Sequence, residues 1–364
     1  MVPDRPRLAD VAAQAGVSTA TVSRVLNGKD VVTPETRQAV HRALDLLGYA
    51  RPPARNRRQG LVGLVVPELT NPVFPALAQA VESLLAQAGC TPLLCTQSPG
   101  GTTEDEYIAT LVAHDVDGIV FVSGMHADAT AGRGRYRRLR ERGLPIVLVG
   151  GHAPEVDAPQ VSTDEVAAAR LAVRHLAALG HRRVGLAVGP DRFVPSRRKR
   201  AGFESALVAA GLAGSGAARH VVSHLYSVEG GRAAAAELLA AGRTALVCAS
   251  DPMALGAIRA ARDRGLRVPE DVSVVGYDDS PFMAFADPPL TTVRQPVADL
   301  ARLAVAMLVS EMRGERVTRA EILVEPELVV RGSTGPPPRG VVGAAPPRSG
   351  RVSAAGAPAP SAAR

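Results

Sequence analysis

The chain is 364 residues long, too long for one small domain and long enough for a large core with an accessory module. Hydrophobic residues make up 46% of it, which excludes a wholly disordered chain. No apolar run nears the roughly 18 residues of a membrane span or forms an export signal behind Met1, so a cytoplasmic protein without a membrane partner is expected. The formal net charge of +7 is unevenly placed: residues 1–60 carry +5, residues 61–334 carry −2, and residues 335–364 carry +4. A basic segment this short suits a phosphate backbone, or else a solvated charged face. Cys90, Cys95 and Cys248 all lie in apolar stretches, as free thiols do in a reducing compartment.

Residues 1–49 read as an all-α head. Leu8 to Ala15 forms a short helix with Leu8, Val11, Ala12 and Ala15 inward, and Gly16-Val17 makes a turn. Ser18 caps a second helix, Thr19 to Leu26, whose Val22, Val25 and Leu26 face the first. Thr33-Pro34-Glu35 starts a third helix with a cap, a first-turn proline and an acid at the positive end of the dipole. This is a helix-turn-helix, which presents its second helix to the DNA major groove. Thr19, Ala20, Ser23, Arg24 and Asn27 then point outward. Arg24 suits a bidentate guanine contact, the small residues Thr19 and Ala20 permit close approach, and Ser18, Thr21, Ser23 and Asn27 suit phosphate oxygens. A three-helix bundle with a chance polar face is the plain alternative.

Residues 50–60 form a Pro/Arg-rich linker. Residues 61–334 alternate apolar strands with amphipathic helices. The first series has strands at 61–66, 91–95, 118–122 and 146–149, with helices at 73–88, 104–114 and 135–142 between them. A second series opens with a helix at 165–179. Strands follow at 183–188, near His220, at 245–249 and at 272–275, with helices at 198–210, 229–241 and 252–264. Strands this apolar are buried on both faces, so the core is α/β with parallel sheets. Two series imply two similar lobes, with ligands at the carboxyl ends of the strands and a cleft between facing lobes. Residues 335–364 hold almost nothing to bury and read as a disordered tail.

The run Leu8-Ala-Asp-Val-Ala-Ala-Gln-Ala-Gly-Val-Ser-Thr-Ala-Thr-Val-Ser-Arg-Val-Leu-Asn-Gly28 resembles the head of the lactose/galactose-repressor family. Thr33-Pro-Glu-Thr-Arg37, Val62-Gly-Leu-Val-Val-Pro67, Gly180-His-Arg182, Ser250-Asp-Pro-Met-Ala-Leu-Gly256 and Val274-Val-Gly-Tyr-Asp-Asp279 continue the resemblance, in order, over roughly residues 5–334. It implies a regulator, in the usual case a repressor, that binds a near-palindromic double-stranded operator as a homodimer. It also implies a two-lobed core similar to periplasmic sugar-binding proteins, with a small-molecule effector between the lobes, sugar-like in most relatives. Nucleoid association would accompany DNA binding. The linker departs from the pattern: Ala54-Arg55 is followed by Asn56-Arg57, without the leucine that wedges into the minor groove. Either Arg57 or Arg58 enters a narrow minor groove, or the linker, with Arg55 and Arg57, is a tether that contacts phosphates.

The resemblance assigns effector contacts to loops at strand ends. Asn71 and Phe74 follow the first strand, Ser123 the third, and Asp164 the crossover between lobes. Lys199 stands where the family usually has an arginine, Tyr226 where an aromatic stacks on the ligand, and Ser250 and Asp278 after later strands. A flat apolar face with carboxylates that accept paired hydroxyls suits a sugar. Against this, Asp164 and Asp278 are equally placed to cap the elements after them, and Phe74 and Tyr226 to sit in the core. No dinucleotide, phosphate-loop or nucleophile-elbow motif occurs, so no catalytic residue and no cofactor are expected. His220-Val-Val-Ser-His224 has metal-like spacing but no cysteine or acid beside it, and no metal is expected.

Overall fold

A computed structural model describes residues 8–26, 32–47, 49, 60–97, 100–212 and 220–338. The chain opens with α1 (Leu8–Ala15), α2 (Thr19–Leu26) and α3 (Pro34–Leu47). Their apolar stripes meet: Val11, Ala12, Val22, Val25, Val40 and Ala43 are buried, with Leu8, Ala15, Leu26, Leu44 and Leu47 packed around them. Gly16 lies at φ +66°, which a side chain at that position would strain, and so allows the turn between α1 and α2. Ser18 Oγ accepts the Thr21 N–H at 3.1 Å, and Thr33 Oγ1 accepts that of Thr36 at 3.4 Å, so both expected caps are present.

Beyond the head the chain folds into two compact units, and they are interleaved in sequence. The first takes residues up to Asp164, Arg192–Pro195 and Pro296–Glu325. The second takes Glu165–Asp191, Ser196–Gln295 and the described residues from Pro326. The sequence pattern ends its second series near residue 275. It does not reveal the strand β5 (Gln160–Thr163) or four later elements, β10 (Thr291–Arg294), α11 (Val297–Met312), β11 (Glu321–Val324) and β12 (Glu327–Val329). Two of those, α11 and β11, return to complete the first unit. Their periodicity is ordinary; which sheet they join depends on a long-range return that local pattern does not encode.

The first unit holds β1 (Gly60–Val66), β2 (Cys90–Thr96), β3 (Gly118–Val122), β4 (Ile146–Val149), β5 and β11. They form one parallel sheet in the order β11-β5-β4-β3-β1-β2. One face buries Val62, Leu64, Val120 and Val147 against α4 (Val73–Gln87) and α11. The other buries Val65, Ile119, Phe121 and Ile146 together with residues of α5 (Glu104–Ala113) and α6 (Gly134–Glu141). Phe121 meets the buried Tyr136 ring edge-on at 5.1 Å.

The second unit repeats the plan. It holds β6 (Val184–Val188), β7 (Val221–Ser223), β8 (Ala245–Cys248), β9 (Ser273–Asp278), β10 and β12, in the order β12-β10-β9-β8-β6-β7. All pairings are parallel except that of β10 with β12. Its helices are α7 (Glu165–Ala178), α8 (Val194–Ala209), α9 (Val228–Ala240) and α10 (Asp251–Arg262). The helix expected from Arg198 starts four residues earlier, which brings Ser196 onto it together with Lys199, already expected there. Small residues let these helices approach closely. A Cβ on Gly202 of α8 would lie 2.5 Å from the Val166 carbonyl of α7.

The core also runs past the expected boundary at residue 334. Gly335 donates its N–H to Ser273 Oγ at 3.0 Å, and its carbonyl lies 2.9 Å from His181 Nε2. The linker residues 50–59 and residues 339–364 lie outside the described residues.

Candidate DNA-reading face and effector site

In the head, Val22 and Val25 turn one face of α2 inward, which leaves Thr19, Ala20 and Arg24 exposed on the other. Ser18 and Thr21, expected at phosphates, are 2.9 Å apart through their hydroxyls, so the cap also orients the Thr21 side chain. Ser23 is half-buried. Asn27, Arg55 and Arg57 lie outside the described residues. The face is short, positively charged and free of bulk near its N-terminal end, as a major-groove reader requires.

In each core unit the strand order reverses beside the first strand, between β1 and β3 and between β6 and β8. Crevices at such switch points, outside the carboxyl ends of the strands, are where open parallel sheets bind ligands. In the first unit Asn71 precedes α4 and its Oδ1 accepts the Val73 N–H at 3.4 Å. Phe74 packs partly against the α4–α11 core, which favours the packing reading for much of its ring. Ser123 follows β3 at φ +42°, with its N–H on the Val149 carbonyl at 2.7 Å and its hydroxyl on the Gly150 carbonyl at 3.4 Å. A left-handed serine at a strand end is strain of a kind that gathers at functional sites. Asp164 follows β5 and donates its N–H to the Val324 carbonyl at 2.8 Å.

The second unit brings three expected residues into one cluster. The close approach of α8 to α7 sets Lys199 beside Glu165, with Nζ 2.7 Å from Oε2, and both side chains are buried. The ammonium also lies 3.9 Å from the centroid of the Tyr277 ring. Burial opposes the charge on Lys199, but Glu165, Tyr226 and Asp278 together outweigh it and hold the pKa above the usual lysine value. Tyr226 Oη is 2.8 Å from Ser196 Oγ, and burial, the leading effect, raises the phenol pKa. The Tyr226 ring lies against Gly189, where a Cβ would fall 1.9 Å from it. Asp278 ends β9 at φ +116°, and its Oδ1 accepts from Gln295 Nε2 at 2.7 Å. The turn after it is fixed by Arg294 and Arg331, at 2.8 and 2.7 Å from Asp279, and by Asp251, which accepts the Ser280 N–H at 2.8 Å.

Ser250 serves the backbone: its hydroxyl caps α10, accepting the Met253 N–H at 3.3 Å. Sequence reasoning missed Glu165, Ser196, Tyr277 and Gln295. Glu165 reads only as the first residue of a helix, because nothing local points to a lysine on another helix. His220 and His224 have separate partners, the Val184 carbonyl and Glu237, each at 2.9 Å. Among the described residues no group of His, Cys, Asp and Glu is placed to hold a metal ion, and no helix is long and apolar enough to cross a membrane.

Residues 7–52 match the bacterial regulatory proteins of the lacI family, and residues 173–334 match the periplasmic binding protein-like domain. The HTH-type transcriptional regulator MalR of Streptomyces coelicolor is 57% identical over 335 residues, covering 91% of this chain and 97% of its own. The chain belongs to the lacI family. It is a DNA-binding transcription regulator with an effector-binding core. Among solved structures, the transcriptional regulator CelR–cellobiose complex is 37% identical with a TM-score of 0.68, and covers 90% of this chain and all of its own. The Lac repressor dimer bound to operator and the anti-inducer ONPF is 28% identical with a TM-score of 0.66, and covers 91% of this chain and all of its own.

Proposed function

We propose that the protein is a cytoplasmic, homodimeric repressor whose operator affinity is set by a sugar or sugar derivative. The observation that carries the effector half is the buried cluster of Lys199, Glu165, Tyr226, Ser196 and Asp278 at the strand ends of the second unit. A ring face beside groups that donate to and accept from hydroxyls is how a protein holds a polyol. The cellobiose carried by CelR and the operator-bound Lac repressor dimer support the same reading. Arg24, Thr19 and Ala20 are proposed to read base edges, and Ser18, Thr21, Ser23, Asn27, Arg55 and Arg57 to hold phosphates. Asn71, Phe74, Ser123 and Asp164 are the proposed effector contacts of the first unit, and Lys199, Tyr226, Ser250 and Asp278 those of the second.

Phe282 and Phe285, 70% and 87% exposed beside β9, support a self-association surface on the second unit. The ligand is proposed to be bound and released unchanged: the Ser196 hydroxyl faces a tyrosine, not a base that would activate it. The test is a thermal-shift screen of sugars with the full chain, followed by operator titration with and without each hit. A sugar that both stabilises the protein and changes operator affinity is the expected result. Sugars that do neither would remove the effector reading, and chemical alteration of a recovered ligand would point to catalysis.

A further inference from the structure

Lys199 is one of two lysines in a chain with 42 basic residues, and it stands between Arg198 and Arg200. An arginine there would present a flat fork for paired acceptors; an ammonium is a compact point charge. That charge is already met inside the protein. Glu165 lies 2.7 Å from it on one side and the Tyr277 ring 3.9 Å away on another. The arginines of the neighbouring turn, Arg294 and Arg331, are both held by Asp279. The Lys199 ammonium is thus matched first by the Glu165 carboxylate in contact with it, and the Asp278 carboxylate also acts on it.

We propose that Glu165 is a specificity residue, which makes the site select uncharged polyhydroxylated ligands and reject their phosphorylated derivatives. The proposal rests on the effector reading above and goes beyond it by fixing the ligand's charge. Hydrogens of the ammonium turned away from Glu165 donate to a neutral hydroxyl oxygen, and Asp278 accepts a hydroxyl proton in return. A phosphate brought to Lys199 meets the Glu165 carboxylate first, in a buried setting where salt screens little. Without Glu165 the same lysine would lose the one carboxylate in contact with it, and become the natural partner of an anionic ligand. A merely structural Glu165, present only to neutralise Lys199, would affect folding stability and leave the ligand's charge preference alone.

The experiment is isothermal titration of the full chain with matched pairs: glucose and glucose 6-phosphate, ribose and ribose 5-phosphate, cellobiose and its 6-phosphate. In the wild type, the neutral member of any pair that binds should bind about 100-fold more tightly than its phosphate, given the repulsion between anions in contact. Glu165→Gln should shrink that ratio at least about tenfold, and Glu165→Asp should keep it. The wild-type arm needs no variant to fold. A phosphate that binds wild type as well as its neutral partner overturns the proposal while leaving the effector reading intact. So does an unchanged ratio in folded Glu165→Gln. Failure of every sugar, neutral or phosphorylated, overturns the effector reading and this proposal with it.

Discussion

The two core units share a strand order but differ in what they place at their strand ends. The first unit's candidates after β1 and β3 are Asn71 and Ser123, which are uncharged and held partly by neighbouring backbone. The second unit gathers a buried ammonium, two carboxylates and two tyrosines. One architecture therefore supports two chemistries: α7 and α8 bring the ion pair, while β9 and the turn before α9 bring Asp278 and the two tyrosines. The sheets supply the position; the helix contact at Gly202 supplies the charge pair.

Removing one member of a buried pair tests this contrast most severely. Lys199→Ala leaves Glu165 buried without its ammonium and should cost about 3–5 kcal/mol in urea unfolding. The double variant Lys199→Met/Glu165→Met should recover most of that loss. In the first unit Glu311 is held by both Arg140 and Arg319, so Arg140→Ala should cost under about 2 kcal/mol. Equal losses in the two units would show that the charge cluster of the second is nothing special.

One buried group in each unit should also respond to pH with opposite sign. In the first, His126 is fully buried beside the Val149 carbonyl, and burial depresses its pKa to about 4. Its contribution is present above the ordinary value near 6.5 and is lost as pH falls towards 4, amounting to about 3 kcal/mol. In the second, burial pushes Asp251 up to about 6 despite bonds from Ser280 and Thr292. Its contribution is full below the ordinary value and fades as pH rises through about 6. In urea midpoints, His126→Gln should therefore remove a loss of stability as pH falls from 6.5 to 4, and Asp251→Asn should remove a gain of stability as pH falls through about 6. A His126→Gln curve parallel to wild type between pH 6.5 and 4 would contradict the assignment.

Gly189→Ala is a subtler probe. Its Cβ would displace the Tyr226 ring, costing about 1–3 kcal/mol of stability and weakening any sugar at least about tenfold, while operator binding stays intact. An unaltered sugar affinity would place the ligand away from Tyr226. Arg24→Ala reverses the pattern in the head: about 1–3 kcal/mol lost at the operator, with blurred preference at one base of each half-site and normal sugar affinity. Competition binding across operator variants reads this directly.

How legible all this is in the sequence varies with distance along the chain. The α2 face and its Ser18 cap follow from local periodicity and local hydrogen bonding, and the structure has both. Most core strands fall within a residue or two of their expected places because each is a compact apolar run. Lys199, Tyr226 and Asp278 are placed by motif resemblance, and their convergence is a property of the fold. Glu165 is invisible because its partner lies on another helix, and the Ser250 hydroxyl, expected at the ligand, also caps α10. The return of α11 and β11 to the first sheet shows the same limit.

The central claim is that a ligand held at Asp278 and its neighbours controls an operator-binding head. Any such ligand must change operator affinity by the factor by which operator changes its own affinity. The most direct measurement is operator titration of wild type and Asp278→Ala, each with and without a saturating sugar from the screen. The account predicts that both proteins bind operator equally well in the absence of sugar and that only the wild type shifts when sugar is added. An Asp278→Ala protein that shifts as far as wild type would contradict it.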